Sequence, residues 1–506
     1  MTTPSLVETT AVELRRLIGT GELSPVELLQ ACIARIEALN PAVNAICATD
    51  YDRALLAARQ AEAMVIRGEP LPPLHGLPLG VKDLQLTQDL LTTFGNVGLR
   101  GNVPKRDTAL VARLRAAGAI VTCKTNTPDM GAGANTRNSV WGATGNPFDP
   151  QLNAGGSSGG SAAALATDML PICTGSDTGG SLRIPSALCG VVGLRPSPGV
   201  VANDDRPLGW ATLPVLGPMG RNVADTALLM SASAGPHPMD PLSVGVHRDA
   251  YWPLRPADPK GLRVGVIEDF GACAVDPMIR RTFRRRVDAI AREVASCEAL
   301  GWNLEEAHRA FDTLRAENFV AAYASIWRTA PETLGPNVRA NLEIAWRLTL
   351  ADRAEAHLAQ TRIMRRFQAA FDSIDLIIAP VTPVSPFPWR HLYAESVAGR
   401  PMRNYYEWLA LTYIVTLATN PALSLPCGVD EAGMPFGLQL IGRLHGDAGL
   451  LANAQALEMV FESSAELRRP RPDLAQLRSP RPELKSIVTH PPLFGGGAER
   501  AGGDAL

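Results

Sequence analysis

The sequence predicts an α/β protein with a central sheet. Two observations carry that prediction: apolar runs of strand length recur along the chain, and stretches with helical spacing of apolar residues alternate with them. A third sets the scale, because 506 residues, 46% of them hydrophobic and 19% charged, supply a sizeable core and exclude a disordered chain.

In chain order, Ser24-Pro25-Val26-Glu27 forms a capping box with proline at the first helical position, and Leu29, Cys32, Ile33 and Ile36 follow on one helix face. Residues 77–81 read as an apolar strand. Asp107 offers a cap for a helix carrying Leu110, Val111 and Leu114, which Gly118 ends before a buried strand over 120–123. Further strands are expected over 170–174, 262–267, 374–379, 423–427 and 436–441. The stretch from about 276 to 370 is mostly helical and rich in arginine, and reads as an insertion beside the sheet. One domain is therefore expected over 1–463. From 464 to 506 the sequence is rich in Pro, Arg and Gly, as in Arg468-Arg469-Pro470-Arg471-Pro472 and Phe494-Gly495-Gly496-Gly497, without periodicity, and is expected to be a flexible tail. No repeat of fixed period appears, which argues against a solenoid.

Lys+Arg is 48 and Asp+Glu is 50, a net charge of −2, so no broad basic surface is expected to neutralise a run of phosphates. Nucleic acid is accordingly not expected as a main partner. Met1 to Thr10 is polar, and no stretch approaches the ~18 uncharged apolar residues of a membrane span, so a cytoplasmic location without membrane contact is expected. The eight cysteines stand singly in apolar contexts and read as small buried hydrophobes, with no metal-ligand spacing.

The densest chemical signal lies between Asn153 and Arg183. Gly155-Gly156-Ser157-Ser158-Gly159-Gly160-Ser161 and Gly175-Ser176-Asp177-Thr178-Gly179-Gly180-Ser181-Leu182-Arg183 flank an alanine-rich helical stretch. Glycine lets the backbone approach a ligand and turn its N–H groups inward, which suits a phosphate cradle or an oxyanion hole. Phosphate cradling of the P-loop kind lacks its GK[ST] ending, and a flexible linker would not alternate with apolar runs such as 162–166. A GxSxG elbow is present on Ser157 and again on Ser158, yet the preceding residues 146–153 form a polar, proline-broken loop where an elbow needs a strand.

A serine nucleophile needs a base, and the eight histidines are isolated. Lysine is the other choice. Only five occur, Lys82, Lys105, Lys124, Lys260 and Lys485, in a chain that otherwise uses arginine for positive charge. Lysine can surrender its proton when buried and arginine cannot, so a need for a neutral amine explains a lysine after the apolar run 76–81. At a reference pKa of about 10.4 the neutral amine costs about 4.6 kcal/mol at pH 7, which the site must offset by desolvation or positive neighbours. By this logic Lys124, after the strand at 120–123, serves equally well.

The stretch from Gly155 to Arg183, continuing Ile184-Pro185, closely resembles the signature of the amidase-signature hydrolases. The likeness extends to Gly80-Val81-Lys82-Asp83, to Cys189-Gly190-Val191-Val192-Gly193-Leu194-Arg195-Pro196, to Gly217-Pro218-Met219-Gly220-Arg221 and to Asn420-Pro421-Ala422-Leu423-Ser424-Leu425-Pro426-Cys427-Gly428. It covers nearly everything up to about Glu462. It implies the amidase-signature fold, a mixed central β-sheet flanked by helices on both faces, and a Ser-cisSer-Lys triad. The matching positions are Lys82 as base, Ser157 on a cis peptide bond and Ser181 as nucleophile, separated by 157 − 82 = 75 and 181 − 157 = 24 positions as in relatives. On the same resemblance Lys82 is chosen over Lys124.

The implied chemistry is amide hydrolysis through an acyl-enzyme on Ser181, extending to esters and carbamates. Backbone N–H groups of Thr178, Gly179, Gly180 and Ser181 would form the oxyanion hole, and Asp177, Arg183 and Ser158 would support the loops. Met130 and Gly131 fall where relatives line the substrate cleft, and Trp210, Tyr405, Tyr406 and Trp408 would close it. No metal and no cofactor is implied. The expected partner is a small-molecule amide, with no nucleic acid and no membrane, and a homodimer as the assembly considered. The alternatives are the amidase subunit of a tRNA-dependent amidotransferase, releasing ammonia for a partner protein, and an ester- or carbamate-specific serine hydrolase.

Overall fold

The structure is a computed structural model and describes residues 6–494. Eleven strands form one sheet: β1 (Ile46–Thr49), β2 (Pro78–Lys82), β3 (Ile120–Thr125), β4 (Ile172–Asp177), β5 (Val192–Arg195), β6 (Val215–Gly220), β7 (Arg263–Val266), β8 (Ser296–Ala299), β9 (Leu376–Pro380), β10 (Ala422–Val429) and β11 (Pro435–Ile441). Their order is β1-β3-β2-β4-β6-β5-β10-β11-β9-β7-β8. The sheet is mixed. β2 runs parallel to β3 and β4, and β7 parallel to β8 and β9, while the strands between pair antiparallel.

Successive side chains on a strand point to opposite faces, and both faces are covered here. Cys123, Cys173 and Met219 pack with Ala162 to Ala166 of helix Gly159–Ala166. Their strand neighbours Ile172 and Leu216 join the larger cluster with Leu228 and Leu229 of helix Val223–Ser233. The capping box predicted at Ser24 is present, with Ser24 Oγ accepting from the N–H of Val26 and Glu27 at the start of helix Pro25–Val43. Among the described residues no helix is long and apolar enough to cross a membrane.

Each strand expected from the sequence overlaps an observed one. Four strands of this sheet were not anticipated, for identifiable reasons, nor were three small two-stranded sheets, one of which places a strand Asp149–Asn153 in the stretch 146–153 read as a loop. β6 contains Gly217-Pro218, which local β-propensity disfavours, and β8 is a partly exposed edge with little apolar character. β1 and β5 are only four residues long. The region around 276–370 supplies helices Pro277–Ile290, Glu306–Thr329, Pro336–Ala345 and Leu350–Ala370, and it also adds β8 to the sheet.

Residues 464–494 differ from the flexible tail expected of them. They lie against the domain with Leu467, Leu477 and Leu484 buried, and Leu484 packs with Trp389 and Ala143. Arg481 N–H donates to the Pro41 carbonyl at 2.9 Å, and Leu493 N–H to that of Arg100 at 2.9 Å. Single leucines spaced along an irregular strap anchor it without any periodic pattern, and its prolines reduce the entropy lost on ordering. The remainder of that expectation, including Gly495-Gly496-Gly497, falls outside the described residues.

Candidate active site

β2 ends at Lys82, beside the parallel strand β4 that leads into the second glycine-serine loop. Lys82 is fully buried, and its Nζ lies 2.7 Å from Ser157 Oγ, 2.8 Å from Ser158 Oγ and 2.9 Å from Ser176 Oγ. Its backbone N–H donates to Thr174 Oγ1 at 3.0 Å. Thr174 Oγ1 donates in turn to Gln85 Oε1 at 2.6 Å, while Gln85 Nε2 donates to the Gly175 carbonyl at 3.2 Å. Burial lowers the Lys82 amine to about 7, against the negative charge of Asp177, which acts to raise it.

Three hydroxyl oxygens meet at this nitrogen. An ammonium would fill all three contacts with its own protons, whereas a neutral amine donates two and accepts one from a serine. The Gly156–Ser157 peptide bond is cis. Ser158 N–H donates to the Ser181 carbonyl at 3.2 Å, which ties the loop of Ser157 to the loop of Ser181. Ser181 is half-buried, between β4 and helix Arg183–Cys189.

Asp177, at the end of β4, is buried with two guanidinium groups. Arg183 Nη2 lies 2.9 Å from Oδ1 and Nε 3.0 Å from Oδ2, and Arg195 Nη1 lies 3.3 Å from Oδ1. Burial opposes the charge, but these two cations outweigh it and hold the carboxyl well below the usual carboxylate range. Arg183 also donates to the Thr412 carbonyl, Gln439 Oε1 and Thr416 Oγ1 at 2.8, 2.7 and 2.9 Å. Asp177 and Arg183, expected from sequence to support the loops, thus belong to a network, and Arg195 is its unanticipated member; its place in the Cys189–Pro196 motif was the only sign.

The oxyanion set expected from sequence needs one correction. Gly180 N–H donates to Asp177 Oδ1 at 2.8 Å, so it is committed to holding the turn. Among the described residues the N–H groups of Thr178, Gly179 and Ser181 have no such acceptor. Thr412 Oγ1 holds the Gly179 carbonyl at 2.6 Å and so fixes the plane of that peptide. Gly180 has φ +130°, a conformation that side chains other than hydrogen rarely adopt.

Lys124 is also fully buried, but its Nζ donates to the Gln85 carbonyl at 2.5 Å and to Thr87 Oγ1 at 2.8 Å, away from the serines. Gly131 stands beside the site: a Cβ there would sit 3.6 Å from Ser157 Oγ. Met130 turns instead into an apolar cluster with Phe319, Leu334 and Val338. Tyr405, Tyr406 and Trp408 are buried, while Trp210 is 75% exposed and closes nothing. Ser176, on Lys82, was quoted in the motif but assigned no part.

Fold and sequence together define the class. The chain belongs to the amidase family, whose family model, described as Amidase, matches residues 27–451. Among curated relatives, a glutamyl-tRNA(Gln) amidotransferase subunit of Acaryochloris marina is 33% identical, over 91% of this chain and 99% of its own length. The protein of the same name from Chloroflexus aurantiacus is 34% identical, over 91% and 98%. Among solved structures, a bacterial aryl acylamidase of the amidase-signature enzymes superposes with a TM-score of 0.83 at 25% identity, covering 95% of this chain and 98% of that one.

The names of these curated relatives overturn one expectation. A small-molecule amide and no nucleic acid were expected as partners; the relatives are named as one subunit of a glutamyl-tRNA(Gln) amidotransferase. The net charge of −2 describes only this chain's own surface, and carries no information about what a companion protein binds.

Proposed function

We propose that the chain hydrolyses the carbon–nitrogen bond of an amide through an acyl-enzyme on Ser181, as the amidase subunit of a tRNA-dependent amidotransferase. The observation that supports the chemistry is the contact of 2.7 Å between the fully buried Lys82 amine and Ser157 Oγ. The curated relatives support the setting. In this reading Ser181 Oγ passes its proton to Ser157 Oγ as that hydroxyl gives its own to neutral Lys82 Nζ. Ser157 can do both because a hydroxyl donates and accepts at once.

Ser181 Oγ then attacks the carbonyl carbon, and the resulting oxyanion takes the N–H groups of Thr178, Gly179 and Ser181, each donor contributing about 3–4 kcal/mol. The relayed proton returns to the leaving nitrogen, which departs as ammonia from a primary amide. Water, deprotonated by the same relay, releases the acyl group. Esters and carbamates present the same carbonyl to the same donors and are slower alternatives in this proposal. The amidotransferase setting places its work in the cytoplasm.

The test is in two parts. Incubation with glutamine should leave an acyl adduct on Ser181 by mass spectrometry, absent in Ser181→Ala; an adduct on Ser157 would reverse the two roles. Purification from the native cell should yield a stoichiometric companion protein that raises ammonia release. A lone chain that turns over aryl amides fully, and releases no ammonia from glutamine with or without companions, would rule out the amidotransferase setting.

A further inference from the structure

Residues 129–136 wall the first glycine-serine loop. Thr136 N–H donates to the Gly155 carbonyl at 3.0 Å, and Gly159 N–H donates to Thr136 Oγ1 at 3.1 Å. A Cβ on Gly156 would stand 3.0 Å from the carbonyl carbon of Ala134 and from the nitrogen of Asn135, so this backbone packs directly against the residue before Ser157. Toward the other end of the segment, a Cβ on Gly131 would reach to 3.6 Å from Ser157 Oγ.

That other end is not held by its own conformation. Met130 has φ +48° and Gly131 φ +69°, and a methionine rarely enters this left-handed region unless its surroundings impose it. The surroundings belong to the helical insertion. Asp129 Oδ2 accepts the N–H of Gly335 at 2.8 Å, and Oδ1 accepts from Asn96 Nδ2 at 2.6 Å. Gly335 stands at the start of helix Pro336–Ala345, so the carboxylate caps that helix from a distant part of the chain. A Cβ on Gly335 would stand 2.5 Å from Asp129 Oδ2, so the close approach needs a glycine. Asn337 Nδ2, in the first turn, donates to the Ala132 carbonyl at 2.8 Å, and Met130 packs with Leu334 and Val338.

Asp129 is half-buried, and desolvation pushes its carboxyl up to about 6 against the pull of its two donors and of Arg339. The groups that face it are Arg339 from helix Pro336–Ala345, Tyr323 from helix Glu306–Thr329, whose phenol burial keeps neutral, and the uncharged amide of Asn96. Both oxygens of the carboxylate accept, so a proton on either one removes a contact.

We propose that Asp129 is a positioning residue for catalysis: by capping helix Pro336–Ala345 its carboxylate holds the 129–132 turn where Gly131 meets Ser157, and so keeps that hydroxyl aligned between Ser181 and Lys82. The proposal rests on the acyl-enzyme reading above and adds to it a residue that touches no reacting atom. The test compares the full wild-type chain with Asp129→Asn by the rate at which a fluorophosphonate labels Ser181, read by mass spectrometry. Ser181 Oγ bonds to phosphorus as fluoride leaves, so no natural substrate is needed. Asparagine keeps the shape of the side chain and, like the protonated acid, loses one contact. Wild type should label about tenfold faster than Asp129→Asn at pH 7.5 and within about twofold of it at pH 5, where its own carboxyl is protonated. The ratio cancels the titration of Lys82, which both proteins share.

An equal deficit at both pH values would overturn the proposal, because a packing defect does not titrate, and so would equal rates at pH 7.5. If Asp129→Asn does not fold, Asp129→Ser takes its place with the same expectation. Hydrogen exchange separates this inference from the function it rests on. Amides of residues 129–136 should exchange about tenfold faster in Asp129→Asn than in wild type at pH 7.5, and the gap should close at pH 5. That result supports the Asp129 cap even if Ser181 is never labelled, an outcome that would count against the acyl-enzyme; exchange alike in the two proteins at both pH values would overturn the Asp129 assignment.

Discussion

Lys82 and Lys124 stand on adjacent parallel strands one register step apart, and that step sends their amines into different surroundings. Lys82 pairs with Thr125 and Lys124 with Val81, so the two side chains leave opposite faces of the sheet. One amine meets Ser157, Ser158 and Ser176; the other meets the Gln85 carbonyl and Thr87 Oγ1. Burial lowers both, to about 7 and about 8, so contact distinguishes them where titration does not.

The first prediction follows from that contrast. Lys82→Met should lower kcat by about three orders of magnitude or more with the fold retained, because it removes the proton acceptor of the proposed relay. Lys124→Met should act mainly on the melting temperature, since it leaves the Gln85 carbonyl and Thr87 Oγ1 without their donor. A Lys82→Met enzyme with unchanged kcat at pH 7 would remove it from the mechanism.

The pH profile carries the second prediction. The proposed relay needs Lys82 neutral to accept a proton, and burial brings its amine to about 7, so kcat/KM should rise about tenfold per unit as pH climbs toward 7 and level off above it. A rate flat from pH 5 to 8 would contradict the relay.

Asp177→Asn should report on both stability and titration. It leaves Arg183 and Arg195 buried without their carboxylate, a loss of about 3–5 kcal/mol in a denaturant titration. Because the Asp177 charge raises the Lys82 amine, its removal should shift the midpoint of the pH profile downward. A midpoint that moved upward would be inconsistent with that coupling.

Thr412→Val should slow catalysis without touching any reacting atom. It removes the hydroxyl that holds the Gly179 carbonyl, and with it the orientation of the loop proposed to bind the oxyanion. The expected effect is a fall of about tenfold or more in kcat with KM little changed, as an interaction realised in the transition state requires. An equal rise in KM with constant kcat would instead place Thr412 in ground-state binding.

Removal of residues 464–506 should destabilise the domain. It strips away Leu467, Leu477 and Leu484, each worth about 1.5–3 kcal/mol when buried, and uncovers Trp389 and Ala143. Thermal unfolding of the truncated chain should fall by several degrees, and proteolysis of the intact chain should spare the strap from 464 to 494; an unchanged melting temperature would show that the strap contributes nothing.

Much of this protein is legible in its sequence. Apolar runs of strand length marked seven of the eleven strands, and the two glycine-serine loops identified the family, because a backbone that must turn sharply and present its N–H groups restricts residue identity at each position. The bonding around Lys82, the diversion of the Gly180 N–H to Asp177, the joining of Arg195 to that carboxylate and the bond from Gly335 to Asp129 were decided by tertiary structure alone. The reason is physical: local motifs specify local backbone, whereas most of these contacts join residues far apart along the chain, and strand register and helix packing decide which of several equally suitable side chains meet.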